Sequence, residues 1–131
     1  MRNLLLNFFS AIRYTIYFPF ILPSVIAYLI MPGHRKRLLK EDVLVFYNVE
    51  FQSKKLSYFT AFYRLLVEYP AFRNVFYHRL WYPGLLIKWI LPKNKTLEIN
   101  TLQMGGGIYI QHGTSTIITA RSIGNNFWVN L

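Results

Sequence analysis

Three histidines and five carboxylates are the side chains with which this chain of 131 residues could do acid–base chemistry. Cysteine is absent, which excludes a thiol nucleophile, a disulfide and a thiolate metal site. His34 lies in a basic cluster and His78 in a helical stretch, so structural roles are expected for both. His112 lies among Gly, Thr and Ile and is our candidate base, with an ordinary surface histidine as the alternative. The carboxylates are Glu41, Asp42, Glu50, Glu68 and Glu98.

A short repeat follows this histidine. Ile117, Ile123 and Val129 stand six residues apart, and residues 123–128 read aliphatic, small, variable, Asn, apolar, variable. A period of six predicts one short strand and one turn per unit, so that three units close a triangular coil with Gly or Asn at its corners. Gly-Asn hairpins in an ordinary sheet would give a similar pattern, so the repeat alone leaves both folds open.

Two segments resemble one enzyme family. Residues 107–114 read Gly-Ile-Tyr-Ile-Gln-His-Gly-Thr, which is similar to the Gly-aliphatic-x-aliphatic-x-His-small-Thr pattern of the serine O-acetyltransferases. Residues 72–79, in which Phe72 and Arg79 stand seven apart, resemble a helical segment of that family. The two segments agree with the family in order and spacing. The branch they resemble is often found among sugar and capsule biosynthesis genes.

The resemblance implies a fold and a reaction. The fold is α+β, with an N-terminal α-helical domain followed by the first coils of a left-handed parallel β-helix. The reaction is transfer of acetyl from acetyl-CoA to the hydroxyl of L-serine, a step of cysteine biosynthesis. By resemblance His112 is the catalytic base, which takes the serine hydroxyl proton and returns it to the leaving thiolate. Base catalysis of this kind contributes about 10²–10⁴ in rate.

The resemblance implies two further site residues, and at each of them this sequence differs from the family's pattern. Glu98 is the candidate for the carboxylate that orients His112, although it stands one residue closer to the histidine than the family's Asp. Gln111 replaces an Asp that contacts substrate in the family, and a neutral amide cannot balance the serine ammonium group. A sugar hydroxyl therefore stays open as the acceptor, and a solvated surface charge stays open as the role of Glu98.

The chain divides into three regions that must position these residues. Residues 1–33 form a hydrophobic segment, residues 34–95 a helical region, and residues 96–131 a strand region with the hexapeptide repeats. Within the helical region we predict three amphipathic helices, with Pro70 and Pro83 marking helix starts.

The hydrophobic segment allows two interpretations. Pro19 and Pro23 each remove a helical hydrogen bond, which favours a pair of short helices broken at the prolines and buried against other helices or subunits. Membrane association through residues 4–31 is the alternative. A small, non-catalytic membrane-associated protein is therefore a third hypothesis, beside the serine and sugar acetyltransferases.

Charge and family resemblance suggest the partners. The net charge of +10 favours anionic partners, but no nucleic-acid-binding motif accompanies the basic clusters, so nucleic acid is not expected. The resemblance implies a homotrimer, or a dimer of trimers, with acetyl-CoA as co-substrate and no metal. We expect a cytoplasmic protein, with the membrane surface as the alternative location.

The repeats occupy only the C-terminal region. Fewer than two coils follow Glu98, and Leu131 falls in the middle of a unit. A coil buries its apolar residues against neighbouring coils, so about three or more repeats and a cap are needed. We therefore expect an incomplete β-helix with little activity alone, and an acetyl-CoA groove formed by residues beyond Leu131.

Overall fold

The fold is known from a computed structural model that describes residues 1–52, 54–80 and 84–130. Five helices come first, and short parallel strands follow, so the α+β class is confirmed. The helices are α1 Arg2–Ile30, α2 Gly33–Glu50, α3 Tyr58–Glu68, α4 Pro70–Leu80 and α5 Gly84–Ile90. The strands are β1 Leu97–Ile99, β2 Gln103–Met104, β3 Tyr109–Ile110, β4 Thr116–Ile118, β5 Ser122–Ile123 and β6 Trp128–Val129.

The hydrophobic segment is one continuous helix, which corrects the prediction of two short helices. Helix α1 runs for 29 residues with Pro19 and Pro23 inside it. Each proline removes a single donor, and the helix continues because the residues on both sides keep their own hydrogen bonds and pack against α3 and α5. Within one chain, the buried residues of α1 are Ile21, Ser24, Ala27 and Tyr28.

Local signals set the ends of the other helices. Ser57 caps α3 by accepting a hydrogen bond from the Thr60 amide at 3.3 Å. Pro70 opens α4, where its missing N–H costs nothing, as predicted. Pro83, the predicted start of the next helix, lies outside the described residues.

The Arg73 side chain closes the C-terminal end of α3. Its guanidinium donates to the Leu66 carbonyl at 2.5 Å, the Val67 carbonyl at 2.8 Å and the Pro92 carbonyl at 2.7 Å. The last carbonyls of a helix have no partner within it, so these bonds satisfy groups that would otherwise be buried unpaired. Arg73 thereby fixes α4 to the end of α3 and to the segment that leads into the strands.

An aromatic core joins the helices to the strands. Phe46, Phe62, Phe72 and Phe76 are each at most 1% exposed. The Phe46 ring contacts Phe72 with a centroid distance of 5.2 Å and the β3 residue Tyr109 at 4.8 Å, both edge-on. The helical and strand regions therefore share one continuous core.

The strands form two stacked layers. Strand β1 pairs with β4, β2 with β5, and β3 with β6, all parallel and all with an offset of 19 residues. Consecutive strands start six residues apart, except that seven residues separate Tyr109 of β3 from Thr116 of β4. The chain thus returns to each strand position after one circuit, and the additional residue falls in the β3–β4 turn.

The inward positions of the layers differ in part from the predicted repeat. Ile123 and Val129 stack on Met104 and Ile110, as the period of six suggests. Ile117, by contrast, is 69% exposed and its neighbour Ile118 is buried. Ile117 pairs in register with Glu98, the exposed middle residue of β1, so the middle residue of this strand position faces outward in both layers.

Candidate functional site

His112 lies in the five-residue connection between β3 and β4, and its side chain is exposed. The backbone of this turn adopts positive φ at Gly113 (64°) and at Ser115 (52°). A β-carbon at Gly113 would lie 3.0 Å from Leu97 Cδ2 and 3.2 Å from Ile110 Cγ2, so both conformation and space require glycine. The turn is thereby held on the core while His112 points into solvent.

The imidazole of His112 makes no hydrogen bond with any described side chain or backbone group. Within the described ranges, therefore, no hydrogen bond fixes its tautomer or occupies its lone pair. An exposed imidazole with a free ring nitrogen lone pair can accept a proton from a hydroxyl that is brought to it.

Glu98 lies in the middle of β1, where it is exposed and pairs in register with Ile117. Among the described residues no hydrogen bond or ion pair joins Glu98 to His112. One chain therefore does not itself assemble the predicted base and its orienting carboxylate.

Gln111 immediately precedes His112 and is also exposed. Its backbone N–H donates to the Val129 carbonyl at 3.0 Å, which fixes the backbone between the two strand layers. Its side-chain amide forms no hydrogen bond within the described part of the chain, so both its oxygen and its nitrogen are available to a ligand.

A buried ion pair, which the sequence analysis did not predict, joins helix α2 to helix α4. The Arg79 guanidinium donates to Asp42 Oδ2 at 2.8 Å and Oδ1 at 3.1 Å, and also to the carbonyls of Met104 (2.7 Å) and Gly105 (2.5 Å). Asp42 Oδ1 also accepts from the Ile108 amide at 2.9 Å. Burial raises the pKa of the Asp42 carboxyl, whereas the Arg79 charge and the backbone donors lower it. The pair connects α2 and α4 to the loop from β2 to β3.

His78 has a structural role, as predicted. Its Nε2 lies 2.5 Å from the Thr101 carbonyl, while its Nδ1 is buried without a hydrogen-bond partner. Burial lowers the pKa of His78, and the positive charges of Arg79, Arg35 and Lys88 lower it further. The neutral ring, with its proton on Nε2, is the form that fits this site.

A cavity of about 850 Å³ lies between the first turn of α2, the last turn of α4 and the first strand layer. His34, Arg35 and Arg37 line one side, and no carboxylate lines it. Its charge suits an anion. His112 and Glu98 are not among its lining residues, so it is separate from the predicted catalytic turn.

No metal centre is formed by the described ranges: they contain no group of three or more His, Asp or Glu side chains placed to hold an ion. Helix α1 is long and apolar enough, by length and composition, to cross a membrane, a property also found in core helices of soluble proteins and in signal sequences. Comparisons with protein-family models, with characterised proteins and with solved structures gave no match.

Proposed function

We propose that the protein is an acyltransferase that moves acetyl from acetyl-CoA to the hydroxyl of L-serine. The observation that carries the proposal is the position of His112. It is an exposed imidazole in a rigid turn between two stacked strand layers, within the segment that resembles the serine O-acetyltransferases.

We further propose that the two layers are the first coils of a left-handed parallel β-helix. The common offset of 19 residues and the six-residue spacing of strand starts support this. So do the corners: Gly107 (φ 74°) and Asn126 (φ 57°) stand at the same place in successive layers, where the chain must turn with positive φ.

In the proposed reaction His112 acts as general base. Its ring nitrogen takes the proton of the serine hydroxyl as that oxygen attacks the thioester carbonyl. The carbon–sulfur bond then breaks, and the thiolate of CoA receives the proton from the imidazolium. Glu98 is proposed to orient the imidazole, and Gln111 to hydrogen-bond the acceptor.

The same proposal includes the assembly and the location. Because Glu98 and His112 do not pair within one chain, we propose that they meet between subunits of a trimer, or of a dimer of trimers. In the family, later coils of the β-helix form the acetyl-CoA groove. The enzyme is proposed to work in the cytoplasm, where α1 is available to a membrane surface.

Gln111 favours a second candidate acceptor. The family has an acid at this place, and the amide lacks the charge that would pair with the serine ammonium group. A sugar hydroxyl has no such cation, so sugar O-acetylation is the alternative within the same fold and mechanism. The third candidate is a membrane-associated protein without catalytic activity.

Mass spectrometry of the acetylated product tests the proposal and separates the acceptors. The chain is fused after β6, in register, to the later coils of a serine O-acetyltransferase, and the trimer is verified by light scattering. Incubated with acetyl-CoA, serine and nucleotide sugars, this protein should yield O-acetylserine. Acetylated sugar without O-acetylserine would establish the alternative acceptor, and a folded trimer that yields neither product would refute the transferase.

A further inference from the structure

Helix α1 packs on the rest of the protein along one narrow stripe. Along the stripe, contact residues recur every three or four positions, as in a helix with one packed side. The stripe consists of Ser10, Tyr14, Tyr17, Ile21, Ser24 and Tyr28. The neighbours it contacts are α3 and α5.

The opposite side of α1 is an uncharged apolar surface, which we call the outer face. It consists of Leu5, Phe8, Ile12, Ile16, Pro19, Ile26 and Ile30, all exposed. At a rise of 1.5 Å per residue it is about 38 Å long. An exposed apolar surface of this extent marks an interaction site.

The exposed arc is wider than one partner helix would cover. Phe9, Phe18 and Leu22 flank the outer face and are 64%, 59% and 46% exposed. A packed helix covers a stripe about 100° wide, so a second copy of α1 would leave these flanks in water. A lipid surface, which is fluid, covers the outer face and both flanks together.

Positive charge collects at the end of α1. Arg35, Lys36 and Arg37 lie near the start of α2, and Lys36 Nζ donates to the carbonyl of Leu29, in the last turn of α1, at 3.1 Å. With a net charge of +10, the protein complements an anionic surface. Trp89, on the neighbouring α5, is 87% exposed, and tryptophan is enriched at the membrane–water interface.

An ion cluster near the middle of α1 distinguishes between a helix that crosses a bilayer and one that lies in its plane. Glu68 of α3 is 3.4 Å from Arg13 and 3.0 Å from Arg64, and it accepts a hydrogen bond from Tyr14. The Arg13 side chain is 49% exposed. A helix that crossed a bilayer would place this cluster near its centre, where charged side chains are costly. A helix lying flat keeps the cluster on the protein side.

We propose that α1 lies in the plane of an anionic membrane, with its outer face at the boundary between headgroups and acyl chains, and does not span the bilayer. This inference is independent of the transferase proposal. It assigns the helix to the interfacial class, whose apolar faces enter the bilayer by about 5–10 Å.

Depth measurements on single-cysteine variants test the orientation. Because the chain has no cysteine, one nitroxide can be attached at Leu5→Cys, Ile12→Cys, Ile16→Cys or Ile26→Cys, with exposed Thr114→Cys as the control. On anionic vesicles the four labels should lie at one shallow depth, and the control label should stay in water. A depth that peaks at Ile16, about 15 Å below the headgroups, and falls toward both ends would show a span and overturn the proposal.

Vesicle flotation tests the binding itself. Ile16→Glu on the outer face should weaken partition onto anionic vesicles at least tenfold, whereas Ile117→Glu on β4, at a comparably exposed isoleucine, should leave it unchanged. Equal loss in both variants would overturn the proposal. So would a wild-type chain that stays off the vesicles and forms dimers, which would identify a second copy as the occupant of the outer face.

Discussion

At the scale of single residues, the turn that carries His112 depends on one glycine. Gly113 combines a positive φ with neighbours that a β-carbon would crowd. Its nearest contacts, Leu97 and Ile110, are both core residues, so they cannot easily move away. The position of the catalytic candidate is therefore fixed by packing beneath it.

Replacing this glycine should destabilise the protein. Gly113→Ala is expected to lower the free energy of unfolding by about 1–2 kcal/mol from the left-handed conformation alone, and by more if the core does not yield. Gly124→Ala is the matched control, because a β-carbon at Gly124 meets nothing within 4 Å. Urea unfolding measures both, and equal stabilities of the two variants would contradict this account of the turn.

His78 should make stability depend on pH. Its lowered pKa means that the folded state disfavours the imidazolium, whose second N–H would be buried at Nδ1 without an acceptor. The contribution of neutral His78 to the free energy of unfolding is complete above the pKa of a free histidine, about 6.5. It is lost as the pH falls from there toward the lower pKa that His78 has in the folded state.

The His78→Gln variant tests this assignment. A Gln amide can still donate to the Thr101 carbonyl but does not titrate, so its unfolding free energy should fall less than that of the wild type between pH 7.5 and pH 5.5. Parallel pH profiles for the two proteins would show that His78 is not the responsible group.

Residue-scale prediction from sequence was only partial. The sequence placed His112 in a strand region, whereas the residue lies in the turn that follows β3. Asp42 and Arg79 could not be paired in this way, because 37 residues separate them and each belongs to a different helix. The one available indication was the scarcity of acids, because a buried arginine can form an ion pair with only five carboxylate side chains in this sequence.

At the scale of elements, that ion pair fixes α2 and α4 to the β2–β3 loop. The side chains are 4% and 0% exposed. Removing one partner of such a pair leaves a buried charge without compensation.

Asp42→Asn should therefore lower the free energy of unfolding by about 3–5 kcal/mol. Glu41→Gln, the adjacent residue on α2, is half-buried and in no ion pair within the described residues, so its effect should stay within about 0.5 kcal/mol. Thermal unfolding compares the two. A loss below 1 kcal/mol for Asp42→Asn would show that the pair does not hold the layers to the helices.

Two elements show why local rules failed. Prolines predicted a break in α1, yet side chains on both sides of Pro19 and Pro23 pack against neighbouring helices and keep it continuous. A strict period of six predicted Ile117 as a repeat position, yet Ile117 pairs with the outward-facing Glu98 of β1 and is itself exposed. Both outcomes depend on contacts between distant segments, which spacing within a segment does not report.

At the scale of the whole molecule, three surface features can be distinguished. The strand layers present His112, the cationic cavity lies between helices and strands, and α1 carries the outer face. Composition already indicated a basic, apolar chain, but not where these properties lie, and Arg35 and Arg37 belong both to the cavity and to the segment that follows α1. Proposed binding to anionic lipid and proposed chemistry at His112 can therefore be altered independently.

The initial rate of serine-dependent thiol release from acetyl-CoA is the most direct test of the central claim that His112 is a catalytic base. In the fused trimer described above, His112→Ala should reduce this rate by about 10²–10⁴. Exposed His34→Ala should leave it unchanged. A His112→Ala trimer that keeps its fold and retains a rate within tenfold of the parent protein would contradict the account.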